Sequence, residues 1–172
     1  PALTGVRIGE LLGATWEAVD LKAGKFEVRL NMQDSDKGEE PIFKAPKTKS
    51  GRRTVPLPRE LVHELRLWKL RCPQSERGLI VVNELGKPFH RKQISNILDA
   101  AIERAQIKRL TPHGLRHTFA SLLLADGVAV PEVSHYLGHK TSAITMTVYA
   151  HFTGKETAAV HNLAASILGG AE

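Results

Sequence analysis

His113-Gly114-Leu115-Arg116-His117-Thr118-Phe119-Ala120-Ser121-Leu122-Leu123-Leu124-Ala125-Asp126-Gly127 is the stretch on which the reading of the whole chain turns. Pro112 just ahead of it has the fixed φ that opens a helix, and Gly127 offers the cap that closes one. A spacing of three places His113 and Arg116 on one face of the first turn, near the positive end of the helix dipole. A guanidinium there grips two oxygens of one phosphate, and the imidazole donates a hydrogen bond or moves a proton. Alone, the pair reads as a solvated His and Arg on an exposed face. Its meaning depends on what the flanking chain brings to it.

Downstream, Pro131 opens a predicted helix ending near Gly138, residues 143–149 suggest another, and an alanine-rich tail over 156–168 carries Val160, Leu163 and Ile167 on one face. Upstream, Ile8, Leu11 and Leu12 recur at helical spacing after the Thr4-Gly5 loop, which puts Arg7 at the start of a helix. Residues 25–30 alternate apolar and charged side chains as a half-buried strand does. Residues 42–49 and 53–57 read as the arms of a hairpin turning at Ser50-Gly51, and the three strands make one small sheet. Leu61, Leu65 and Trp68 mark a helix stopped by Pro73, and residues 93–105 form a second amphipathic helix.

The 172 residues suit one domain with its own core. Apolar runs such as 119–125 are far shorter than the roughly 20 residues of a membrane span. The single Cys72 forms no internal disulfide, reads as a small buried or loop residue, and makes a reducing cytoplasm the default compartment. A net charge of +6 and a pI near 9.6 fit a polyanionic partner. Six cations (Lys44, Lys47, Lys49, Arg52, Arg53 and Arg59) run without a carboxylate among them. They make either a solvated basic hairpin or a surface that tracks phosphates.

Two further clusters complete the pattern. Leu137-Gly138-His139 is followed ten residues later by Tyr149, which alone would be a packed core or interface tyrosine. Thr4-Gly5-Val6-Arg7-Ile8-Gly9-Glu10-Leu11-Leu12 alone suggests a surface ion pair between Arg7 and Glu10. In order, however, T-G-x-R-x-x-E-L, a basic hairpin, H-x-L-R-H, L-G-H and a tyrosine resemble the signature of the tyrosine recombinases of phage-integrase type, and the agreement covers nearly the whole chain.

The resemblance implies an α+β fold, mainly helical, with a small three-stranded antiparallel sheet whose hairpin carries a lysine toward DNA. It implies Arg7 and Arg116 as the arginine pair, His113 and His139 as the two histidines, and Tyr149 as the nucleophile. Lys47 matches the hairpin lysine, with Lys49, two residues on and on the same strand face, as the alternative. Glu10 orients the Arg7 region, while His117 and His151 are supporting residues. Lys44, Lys49, Arg52 and Arg53 are expected to contact DNA. The implied reaction makes a 3′-phosphotyrosine and needs no metal or other cofactor. The implied partner is double-stranded DNA at attachment or recombination sites, bound by a homo-tetramer, with a monomer for the isolated piece and no membrane. The K-T-K-S-G-R-R run is typical of phage and conjugative-element integrases. Opening at Pro1-Ala2-Leu3-Thr4, the chain is expected to be a catalytic domain over 1–172, without the N-terminal DNA-clamping domain and the first catalytic-domain helix.

Other classes stay open. His113/His117 and His135/His139 are pairs spaced four apart, as helices present zinc ligands, although no H-E-x-x-H occurs. A DNA-binding module without chemistry would need only the basic hairpin and helices. Type IB topoisomerases share the chemistry, but the L-G-H and H-x-L-R-H wording is nearer the integrases.

Overall fold

The strand expected over residues 25–30 holds for its first half in the computed structural model, which describes residues 2–35, 40–46, 48–107 and 109–150, apart from the side chains of 49 and 147–150. Strand β2 (Lys25–Glu27) buries Phe26 between charged neighbours. It pairs antiparallel with β1 (Val19–Asp20) on one side and β5 (Thr54–Pro56) on the other, so Phe26 faces Val19 and Val55 across the ladders. Strands β3 (Asn31–Gln33) and β4 (Ile42–Lys44) form a separate antiparallel pair with Met32 opposite Phe43.

This arrangement corrects the expected hairpin. The sheet has three strands, but its third member is β1, and the arm starting at residue 42 pairs with β3 rather than with residues 53–57. The cause is local. Pro46 lacks the N–H a ladder needs, and Thr48 turns the chain by accepting the Gly51 N–H on its Oγ1 at 3.2 Å. The basic run therefore closes as a 3-10 turn over Lys49–Gly51 and enters β5 from there.

Helices follow the sequence closely. α1 (Ile8–Leu12) starts at Arg7, α2 (Arg59–Arg71) stops before Pro73, and α3 (Arg91–Ala105) begins two residues earlier than its apolar pattern because Gln93 reaches back to the His90 N–H at 2.8 Å. α4 (Pro112–Ala125) is capped by Thr111, whose hydroxyl accepts the Gly114 N–H at 2.9 Å. α5 (Val130–Leu137) and α6 (Ser142–Ala150) complete the described chain. The expected tail helix and its Val160, Leu163 and Ile167 stripe lie outside the described residues. No described helix is long and apolar enough to cross a membrane.

Two cores fix the frame. One packs Leu11 of α1 and Leu65 and Trp68 of α2 against Val6, Ala14, Phe26, Val28, Val55 and Ile80. The other packs α4 on α5 through Ala120, Leu124, Val133 and Leu137. Arg7 leaves the first core and Arg116 the helix pair of the second, so the site lies at their seam. Leu12 is fully buried and Leu70 is 86% exposed. Leu12→Ala is expected to lower stability by about 2–5 kcal/mol, and Leu70→Ala to leave it within about 0.5 kcal/mol, in urea denaturation.

Candidate functional site

The site is built on the carboxyl end of α5. Gly138 sits in the left-handed region at φ 64°, so the helix ends in a Schellman turn, with Gly138 N–H bonded to His135 O and His139 N–H to Ser134 O. That turn leaves the next three carbonyls, of Tyr136, Leu137 and Gly138, without helical partners. Each accepts from a different arginine. Arg53 Nε donates to Tyr136 O at 2.6 Å, Arg116 Nη2 to Leu137 O at 2.6 Å, and Arg7 Nη2 to Gly138 O at 2.8 Å. The negative end of the helix dipole favours this gathering of cations.

Glycine is required at 138 for a second reason: a Cβ there would stand 2.7 Å from Arg53 Nη1 and 2.8 Å from Ser50 O. Gly5 does the same for the other side. At φ 62° it turns the chain against Phe119 and Leu137, and its carbonyl accepts from Arg116 Nη1. Arg116, buried in α4, is thus held from two segments far away in sequence.

Glu10 balances the cluster. Its carboxylate accepts from Arg7 Nη1 at 2.8 Å and from Arg53 at 3.0 and 2.9 Å, and it also takes the Arg7 backbone N–H at 2.8 Å. Burial opposes its ionisation, but the Arg53 and Arg7 contacts outweigh that and hold its pKa below the ordinary 4.5. Arg116 is pressed down to about 9, by burial first and then by Arg7 and Arg53 against the pull of Glu10, and it stays cationic at neutral pH.

Arg53 corrects the expectation of a DNA contact. Its side chain is only 1% exposed and its donors go to Glu10, Tyr136 O and Gly51 O. It is a positioning residue that locks the basic turn to α1 and α5. The signal was present in the alternation: Arg53 falls two residues before buried Val55, and Arg52 two residues before exposed Thr54. Arg52 and Lys44 are exposed, and Lys44 lines a groove of about 420 Å³ that also takes in Arg7, Ser50, Gly138 and His139.

His139 is half-buried beside that groove, with Nδ1 2.9 Å from the Thr145 hydroxyl. Burial first, then Arg116, Arg7 and Arg53, depress its pKa to about 4, so the ring is neutral at physiological pH. His113 is exposed at the head of α4, one turn before His117, with their Nε2 atoms 2.7 Å apart and the rings edge to face. Burial, His113 and Arg116 keep the His117 pKa below its usual value. The structure therefore brings Arg7, Arg116 and His139 to one helix end, with His113 one turn before Arg116. Lys47 lies outside the described residues, as do the side chains of Lys49 and Tyr149; the Tyr149 backbone belongs to α6. Among the described residues, no three His, Cys, Asp or Glu side chains gather as a metal site.

A mainly helical domain with a small antiparallel sheet and a carbonyl-anchored arginine cluster defines the class, and comparison with known proteins gives the family. Residues 2–156 match the phage integrase family, to which the chain belongs. It is 31% identical over 180 residues to a tyrosine recombinase XerC-like protein of Caldanaerobacter subterraneus subsp. tengcongensis, covering 93% of this chain and 46% of that relative. Among solved structures, XerA recombinase superposes with a TM-score of 0.70 at 28% identity, over 96% of this chain and 54% of that one. The Tn1549 transposon integrase, solved with a circular intermediate DNA, shares the fold at TM-score 0.78 and 21% identity, over 95% of this chain and 55% of that one. The chain thus spans about half the length of these relatives.

Removing Arg53 leaves Glu10 buried with a single arginine and frees the turn before β5. Arg53→Ala is expected to cost about 3–5 kcal/mol in chemical denaturation. Arg52→Ala, one residue away on the exposed face, is expected to change stability by no more than about 0.5 kcal/mol.

Proposed function

We propose that this chain breaks and rejoins double-stranded DNA by transesterification, as the catalytic domain of a site-specific recombinase. The observation that carries the reading is the convergence of Arg7 and Arg116 on neighbouring carbonyls of one helix end, beside the neutral His139. Cations recruited from both ends of the sequence and held in fixed positions suit one recurring anion, and a phosphodiester is the anion that a basic surface with Lys44 and Arg52 would track. Membership of the phage integrase family supports the same substrate.

In this reading Tyr149 attacks phosphorus while the bond to the 5′ oxygen breaks, leaving a 3′-phosphotyrosine. His113 assists removal of the phenolic proton, which a free tyrosine holds up to a pKa of about 10. Lys47, or Lys49 in its place, gives a proton to the departing 5′ oxygen. Negative charge grows on the non-bridging oxygens, where Arg7, Arg116 and His139 donate hydrogen bonds that need no rearrangement during the step. The phosphotyrosine keeps the energy of the original diester, so a 5′ hydroxyl from a partner strand reverses the step without ATP. Relatives named as integrases and the transposon integrase fold support integration or excision of a phage or other mobile element. A homo-tetramer assembled on two paired attachment sites provides one tyrosine for each of the four strands such an exchange cuts.

The test uses the protein in its full-length form on a nicked duplex from its own attachment site, with mass spectrometry of the trapped product. An adduct on Tyr149, absent in Tyr149→Phe, is the expected result. DNA binding with no adduct, under conditions where a relative forms one, contradicts the proposal.

A further inference from the structure

We infer that Thr145 sets the tautomer of His139, placing the ring proton on Nε2 so that the imidazole faces the groove as a hydrogen-bond donor. The inference rests on the phosphate-binding reading of that groove.

Three observations lead there. Thr145 is fully buried in α6, and its hydroxyl stands 2.9 Å from His139 Nδ1. A buried hydroxyl without a partner is costly, and among the described residues this ring is the partner it has. A helical threonine often bonds back to the carbonyl four residues earlier. Here the Thr141 carbonyl accepts the Ile144 N–H at 3.4 Å, and no bond to it from Thr145 occurs among the described residues.

Next, the ring is neutral. Among the described residues, Arg116 and His117 on α4, Arg7 at the start of α1 and Arg53 at the entry to β5 oppose its protonation, together with burial. A neutral imidazole has one N–H and one lone pair, and their placement decides whether it donates or accepts. The oxygens of a phosphodiester only accept, so a ring with its lone pair on Nε2 would repel them. A Thr145 hydroxyl donating into Nδ1 forces the proton to Nε2.

Finally, Thr145 stands one turn before Tyr149 in the chain of α6, so the same bond fastens that helix to the Leu137-Gly138-His139 segment. Thr145 is a positioning residue in this account: it acts through His139 and not on the substrate.

The test has two readouts. In the 172-residue chain labelled with ¹⁵N-histidine, two-bond correlation spectra report the tautomer directly. The expected result is the Nε2–H form of His139 in the wild type and in Thr145→Ser, and a shift toward Nδ1–H in Thr145→Val, which has nearly the same shape and lacks the hydroxyl. In the full-length protein, Thr145→Val is expected to slow adduct formation about 10- to 100-fold, the usual effect of removing a residue that orients a site histidine, and Thr145→Ser to restore most of it. An Nδ1–H form in the wild type, or a Thr145→Val protein with unchanged tautomer and unchanged cleavage, overturns the inference. Failure of the wild type to form any adduct would instead strike at the recombinase reading, while the tautomer spectra would still decide the role of Thr145.

Discussion

The last carbonyls of α5 are an unusual place for three arginines to meet, and the rest of the site depends on that meeting. A helix end leaves carbonyls that need donors. A Schellman turn at Gly138 uses two of them and aims the next three, from Tyr136, Leu137 and Gly138, at Arg53, Arg116 and Arg7. The α1 start, the β5 entry and the middle of the α4 first turns are thereby referred to one short stretch of backbone. The L-G-H motif has a physical meaning in these terms: Leu137 anchors the helix in the core, Gly138 permits the close approach of Arg53, and His139 emerges beside the cluster.

Concentrating cations has consequences that the site uses. Like charges and burial oppose one another's protonation, which drives the His139 pKa to about 4 while Arg116, at about 9, remains charged. Glu10 offsets part of the repulsion by bridging Arg7 and Arg53. Arg7 keeps 42% of its side chain exposed, whereas Arg53 is sealed in. Arg53 is therefore structural, while Arg7 keeps an exposed face at the groove. The same cations and the burial explain why the ring of His139 is neutral.

Much of this was legible in the sequence. Helices α2, α4, α5 and α6 stand where their apolar spacing, prolines and glycines place them, since those signals are local. The H-x-L-R-H and L-G-H segments announced Arg116 and His139. The basic hairpin was misread because its pairing depends on which strand lies nearby in space, and nothing within residues 42–49 says that β3 is the partner. Arg53 was grouped with its basic neighbours by charge, although its phase with Val55 assigns it to the interior. Thr145 carries no mark in the sequence beyond its spacing, and its role emerges only when α6 is packed beside His139.

The most direct test of the account is the arginine side-chain ¹⁵N spectrum of this chain beside that of Gly138→Ala. In the wild type, the Arg53 and Arg116 guanidinium resonances should be shifted from those of free arginine and slow to exchange with solvent. In the variant, where a Cβ would crowd Arg53 and Ser50 O, both should move toward free-arginine values together. Wild-type resonances that already resemble free arginine, or a variant in which neither changes, would contradict the claim that the end of α5 organises the site.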